Sequence, residues 1–152
     1  MLTMFNGLQI DVPEGWADVS TIVVAPKSAL LDGKKPKINL LVKRRPCASD
    51  DSERSMNTYL KFMTESFGAL GNLATKEMVA GAIKGRSIAF SAVVDGTAFR
   101  QYTFLYFVSL PGGGGEEVSA TVTQLEGDAT PLFEIEKLLK SVRRAAAVRG
   151  GR

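Results

Sequence analysis

Two pairs of carboxylates stand side by side in the chain, Asp50-Asp51 and Glu116-Glu117. Paired acids can hold a metal ion or divide acid and base roles between them, but neighbours at a cap or turn usually point apart into water. Neither pair is therefore assigned catalysis or a metal. The run Pro111-Gly-Gly-Gly-Gly-Glu-Glu117 has the glycine content of a phosphate cradle. No Gly-Lys-Ser/Thr follows it, and its two glutamates would repel a phosphate, so it reads as a hairpin turn. Cys47 is the only cysteine, and Lys43, Arg44 and Arg45 stand close enough in sequence to lower its pKa. No histidine is present to activate it, and a solvated loop thiol is the simpler reading. The same absence of histidine removes Ser-His-Asp and Cys-His triads, histidine-ligated zinc and haem on a proximal histidine. A single cysteine removes any intrachain disulfide. The expectation is a protein that is not an enzyme and carries neither metal nor cofactor.

The size and composition, 152 residues with 45% hydrophobic and 23% charged, suit one soluble domain over 1–144, followed by a basic tail over 145–152 that has no apolar face and should fray. The net charge of +3 comes in blocks of −3 over 1–26, +6 over 27–45, −6 over 46–136 and +6 over 137–152. Two local basic segments around an acidic centre argue against nucleic acid as a partner. The strips Lys34-Lys35-Lys37 and Lys43-Arg44-Arg45, with Arg143-Arg144, could meet an acidic partner, or be a solvated loop and the charged end of a helix. The N-terminus shows no positive residue and no apolar leader region, which points to the cytoplasm. No apolar run approaches the roughly 18 residues of a membrane span, so direct membrane insertion is not expected.

The elements that would position these residues follow from pattern. Short strands are predicted over 8–12 and 19–25, closed by Pro13-Glu-Gly15 and by Pro26, with Trp16 between them as a core anchor. A basic loop over 27–37 leads to a strand over 38–44 that Pro46 ends. Ser49-Asp-Asp-Ser-Glu53 is dense in capping residues, and Met56, Leu60, Met63, Phe67 and Leu70 make one apolar helical stripe that Tyr59 widens and Gly71 stops. Phe62 lies off that stripe, a large apolar side chain with no core position. Strands over 73–80, 84–94, 98–110 and 117–125 then follow as hairpins, one of them turned by Asp95-Gly96. Thr130-Pro131 opens a second amphipathic helix carrying Leu132, Ile135, Leu138, Leu139 and Val142, with the proline at its first helical position. The fold class is α+β: a single antiparallel sheet of six to seven strands forming one layer, and two main helices forming the other.

Alternation along the strands separates large from small residues. Ile88, Phe90, Ala92 and Val94 oppose Ser87, Ala89, Ser91 and Val93; Val118, Ala120 and Val122 oppose Ser119, Thr121 and Thr123. On 98–110 a core set of Tyr102, Phe104, Tyr106, Val108 and Leu110 opposes Gln101, Thr103, Leu105, Phe107 and Ser109. A face of small hydroxyl residues interrupted by large apolar ones suits an exposed sheet, a homodimer surface or a groove for an apolar ligand.

The run Phe5 to Ser20, with its short strand, Pro13-Glu-Gly-Trp16 and Asp18-Val-Ser20, resembles the N-terminal signature of DcrB-like proteins. The likeness continues through the strand with Ile38, the capped helix 52–70, the strand 85–95, Phe99-Arg-Gln-Tyr-Thr103 and Leu138-Leu-Lys-Ser-Val-Arg143. The resemblance implies a PsbP-like α/β/α sandwich without catalytic residues. Of the family's two cellular versions, a secreted lipoprotein and the cytoplasmic Eag chaperones of type VI secretion effectors, the absent leader and lipobox favour the second. The resemblance then implies a homodimer whose sheet groove shields the N-terminal transmembrane or apolar helices of a secreted toxin before export. Ile22, Val24, Leu105 and Phe107 would supply apolar contact, Ser91, Gln101 and Thr103 polar contact, and Phe62 would close one side. The alternative is a PsbP-like structural or assembly subunit that meets an acidic protein surface through its basic loop.

Overall fold

A computed structural model describes residues 2–5, 8–11, 13, 14 and 21–142. Trp16, Arg143-Arg144 and the 145–152 tail lie outside the described residues. The elements run β1 (Leu2–Phe5), β2 (Leu8–Asp11), β3 (Thr21–Val24), α1 (Lys27–Leu31), β4 (Ile38–Cys47), α2 (Ser52–Phe67), β5 (Gly71–Ala80), β6 (Ile83–Val94), β7 (Thr97–Ser109), β8 (Gly115–Leu125) and α3 (Leu132–Ser141). β1 and β2 pair as a separate two-stranded sheet, and the remaining six strands form one antiparallel sheet in the order β3-β4-β8-β7-β6-β5. The protein is thus α+β with a single six-stranded antiparallel main sheet.

The two long helices do not form one layer. α2 packs on β6 and β7, while α3 packs on β5, β7 and β8 from the other side. Each face consequently has its own core. Ile88, Phe90, Ala92 and Phe99 are buried beneath the α2 residues Met56, Tyr59, Leu60, Met63 and Phe67. Leu40, Val42, Met78, Phe104, Tyr106, Val118, Ala120 and Val122 are buried with Ile135 and Leu139 of α3. The Tyr106 hydroxyl donates to the Val142 carbonyl at 3.0 Å and ties down the end of α3. The apolar stripe predicted for the first helix is the one that packs.

Local chemistry explains most boundaries. Asp51 caps α2, its side chain accepting from the Arg54 N–H at 3.2 Å. The β6–β7 hairpin turns on Asp95 and Gly96 at φ 50° and 77°, the pair of left-handed residues such a tight turn demands. Three sequence expectations shift. The basic loop contains the five-residue helix α1. Pro131 occupies the N-cap of α3 in extended conformation, rather than the first helical position. Pro46 lies inside β4, paired with Glu116, because β3 pairs only with residues 40–43; β4 is an edge at Pro46 and no ladder bond is lost there.

Candidate functional site

Cross-strand register decides which predicted site residues share a surface. On β7, Thr103 lies opposite Ile88 of β6 and Thr121 of β8, and Gln101 lies opposite Phe90 and Thr123. The large residues of β6 and the polar row of β7 therefore lie on one face, the face that α2 covers. Gln101, Thr103, Leu105 and Phe107 belong to it. Ile22 and Val24 pair with Val42 and Leu40, which are core residues of the α3 face, and Ser91 pairs with Arg100 on that same face. The eight residues expected to line one groove are divided between the two sides of the sheet. Alternation within each strand suggests one face for all the large residues, whereas the large set changes sides between β6 and β7 because each helix has a core beneath it.

Burial narrows the set further. Thr103 is 1% exposed and Leu105 2%, so neither can touch a partner directly. Phe107 stands six residues along β7 from Gln101, its ring against Gly115 and beside Cys47 and Ser55. Ser91 lies on the far face, where its hydroxyl accepts from Asn72 at 3.2 Å, and it lines a cleft of about 680 Å3 that takes Arg100 and Gln124 from that face and Phe67, Phe99 and Leu125 from the α2 side. Phe62 is 60% exposed.

What remains is an open strip beside α2. Ser55, Tyr59 and Phe62 recur at spacings of four and three and so share one flank of the helix. Ser55 donates to Glu117 of β8, and Tyr59 reaches Thr103 of β7, so this flank faces the β8 side of the sheet. Beyond it the floor consists of Ser119, Thr121 and Thr123 on β8 and Asn39 and Leu41 on β4, all half-buried, with Val23 of β3 at the rim, 58% exposed and opposite Leu41. Asn39, Leu41, Thr121, Thr123, Tyr59 and Val23 are site residues that sequence reasoning did not assign. The signal for Thr121 and Thr123 was present in the alternation of 117–125; that for Val23 and Leu41 was not, because their side depends on register.

A hydrogen-bond network crosses from the helix to this floor. The Tyr59 hydroxyl lies 2.8 Å from the Thr103 hydroxyl and donates to Gln101 Oε1 at 3.4 Å. Thr103 and Thr121 are joined at 2.9 Å, and Gln101 Nε2 donates to Thr123 at 3.4 Å. Burial pushes the Tyr59 phenol above its ordinary value, against the opposing effect of its threonine partners, so it remains a neutral hydroxyl.

The remaining candidates for chemistry resolve into structural roles. Glu116 and Glu117 alternate to opposite faces: Glu116 lies 3.9 Å from Arg44, and Glu117 binds Ser55 and Arg45, the latter at 3.2 Å. Asp51 is a helix cap. Cys47 closes β4 instead of lying in a loop, and burial together with Glu117 raises its pKa despite Arg45, which opposes the activation that three nearby basic residues suggest. The basic strip is interrupted, since Arg45 and Arg44 engage the glutamates on opposite faces while Lys34, Lys35, Lys37 and Lys43 are exposed. Among the described residues no group of three or more acids or cysteines could hold a metal ion, and no helix is long and apolar enough to cross a membrane.

No family model matches the chain, and no curated protein matches it. Solved structures do. A crystal structure of PA94 from Pseudomonas aeruginosa, a protein of unknown function for which a role as a regulator has been suggested, is similar over 96% of this chain and 98% of its own, with a TM-score of 0.63 and 13% identity. At that identity the likeness establishes the shared fold.

Proposed function

We propose that the protein is a non-enzymatic cytoplasmic chaperone that holds the N-terminal apolar helices of a type VI secreted toxin in the strip between α2 and β4 until export. The observation that carries this reading is the juxtaposition of the exposed Phe62 and Val23 with the half-buried row of Gln101, Thr121 and Thr123. An apolar helix in water aggregates because its side chains have no apolar surroundings. A surface that combines apolar projections, small residues and side-chain hydrogen bonds reproduces what such a helix meets in a bundle within lipid. Covering one exposed phenylalanine contributes on the order of 1.5–3 kcal/mol. The resemblance to DcrB-like proteins and their Eag members supports the same reading, including action as a homodimer.

Co-expression with the apolar N-terminal segment of a toxin encoded beside it tests this: the segment should appear in a soluble complex. A segment that stays insoluble whether or not the protein is present would count against the chaperone reading. The exposed lysines of 27–37 support a second reading, contact with an acidic protein surface. Salt separates the two, because binding through exposed charges weakens strongly by about 0.5 M salt while binding through an apolar strip persists.

A further inference from the structure

Register places a cation inside the strip. Lys43 of β4 pairs with Thr21 of β3 on one side and with Ser119 of β8 on the other, in the row next to Val23, Leu41 and Thr121 and on the same face. A strand flanks it on each side, so its stem rises from the floor and not from the sheet edge. The side chain is exposed, and among the described residues no acid lies within ion-pair distance of it. Glu117, one row further on and on the same face, is already held by Arg45 at 3.2 Å and by Ser55. The Ser55 contact also brings the first turn of α2, the positive end of its dipole, to this part of the strip. Lys43 thus stands between two hydroxyl residues and beside a completed ion pair, with its own charge unanswered.

We infer that Lys43 is a specificity-determining residue of the strip, which selects apolar helices that carry an aspartate or glutamate where they cross it. This rests on the chaperone reading and sharpens its ligand class. A wholly apolar helix laid over this row would draw the ammonium out of water and give it no counter-charge, which is strongly unfavourable. A carboxylate at the crossing point accepts from the ammonium instead, in a charge-assisted bond that the dry surroundings strengthen. The lysine stem then packs against the apolar residues on either side of that acid. Geometry fixes where the acid belongs. Same-face rows are about 7 Å apart along a strand and a helix rises about 1.5 Å per residue, so for a helix lying along the strands it stands about five residues from the one seated on Val23 and Leu41.

The test uses Leu/Ala helices of about 20 residues in mild detergent at about pH 8. They are identical except for one residue, about five from the centre, which is glutamate, its neutral isostere glutamine, or lysine. The wild type should bind the glutamate peptide about tenfold tighter than the glutamine peptide, the worth of one hydrogen bond to a charged group. Lys43→Gln should bind those two alike, and Lys43→Glu should prefer the lysine peptide. Lys43 is exposed, so both variants should keep the wild-type circular dichroism spectrum. A preference for glutamate that survives in Lys43→Gln would place the selecting cation elsewhere, on Arg45 or on the lysines of 27–37, and overturn the assignment. Equal binding of the glutamate and glutamine peptides by the wild type would overturn it too, while leaving the chaperone reading in place. Binding of no peptide by the wild type would overturn both.

Discussion

Thr103 stands directly opposite Ile88 across the β6–β7 ladder, so the centre of the α2 core and the centre of the hydroxyl row lie on one face of the sheet. This pairing gives α2 a mixed underside. Toward β6 it packs Leu60, Met63 and Phe67 on Ile88, Phe90 and Phe99, with Phe67 and Phe99 edge to face at 5.1 Å. Toward β8 it presents Tyr59 to threonines and a glutamine. The helix is thereby both a lid on half of the face and a wall for the half that stays open.

Gly85 in β6 should not tolerate a side chain. A Cβ there would run into the Leu105 carbonyl and come within 2.7 Å of the Phe104 ring and 2.9 Å of Tyr106 Cβ, all of them buried. Gly85→Ala should lower stability by about 1–3 kcal/mol, as overpacking does, and urea unfolding followed by circular dichroism measures it.

Leu105 and Gln101 share one face of β7 but differ in burial, and they should separate experimentally. Leu105→Ala should cost about 2–5 kcal/mol because it empties a sealed position under α2. Gln101→Ala, at a half-buried position with two 3.4 Å bonds, should cost under about 1 kcal/mol. Equal losses in thermal unfolding would show that Gln101 is a core residue and not part of the open strip.

The residues that were legible in the sequence are those whose role depends on their own segment. The stripe of α2, the caps at Asp51, the Asp95-Gly96 turn and the exposed Phe62 all follow from local spacing or composition. The divided site does not. Whether Ile22 or Val23 faces the strip depends on the pairing Val23 to Leu41 to Thr121, which links three strands distant in the chain. A one-residue change of register moves every side chain to the other face. The change of large residues from one side on β6 to the other on β7 was hidden for a related reason: alternation shows that two sets exist, and only the placement of α2 and α3 on opposite faces shows that both are cores. Tyr59 read as a wider stripe because a tyrosine ring packs like any apolar group while its hydroxyl does something else.

Acid should weaken the turn between β8 and α3. Burial alone would raise the Asp128 carboxyl, but hydrogen bonds from Gln124 and from the Thr130 N–H, both at 2.9 Å, hold it below its ordinary 3.8. A lowered pKa gives stability that is complete above the unfolded value and lost as the pH falls through the folded one. Asp128→Ala should therefore be less stable than the wild type at pH 7, and the difference should close below about pH 3.8. A gap that stays constant between pH 7 and pH 2 in denaturant titrations would contradict the assignment.

The chaperone reading is tested most directly by two matched substitutions on opposite faces. Phe62 of α2 and Phe133 of α3 are exposed to similar extents, 60% and 69%, so aspartate at either should leave the fold intact. The measurement is the amount of soluble apolar toxin segment recovered with wild type, Phe62→Asp and Phe133→Asp at equal expression. Recovery lost with Phe62→Asp and retained with Phe133→Asp is the predicted result. Loss with Phe133→Asp alone, or equal recovery with all three, would contradict the placement of the partner in the strip beside α2.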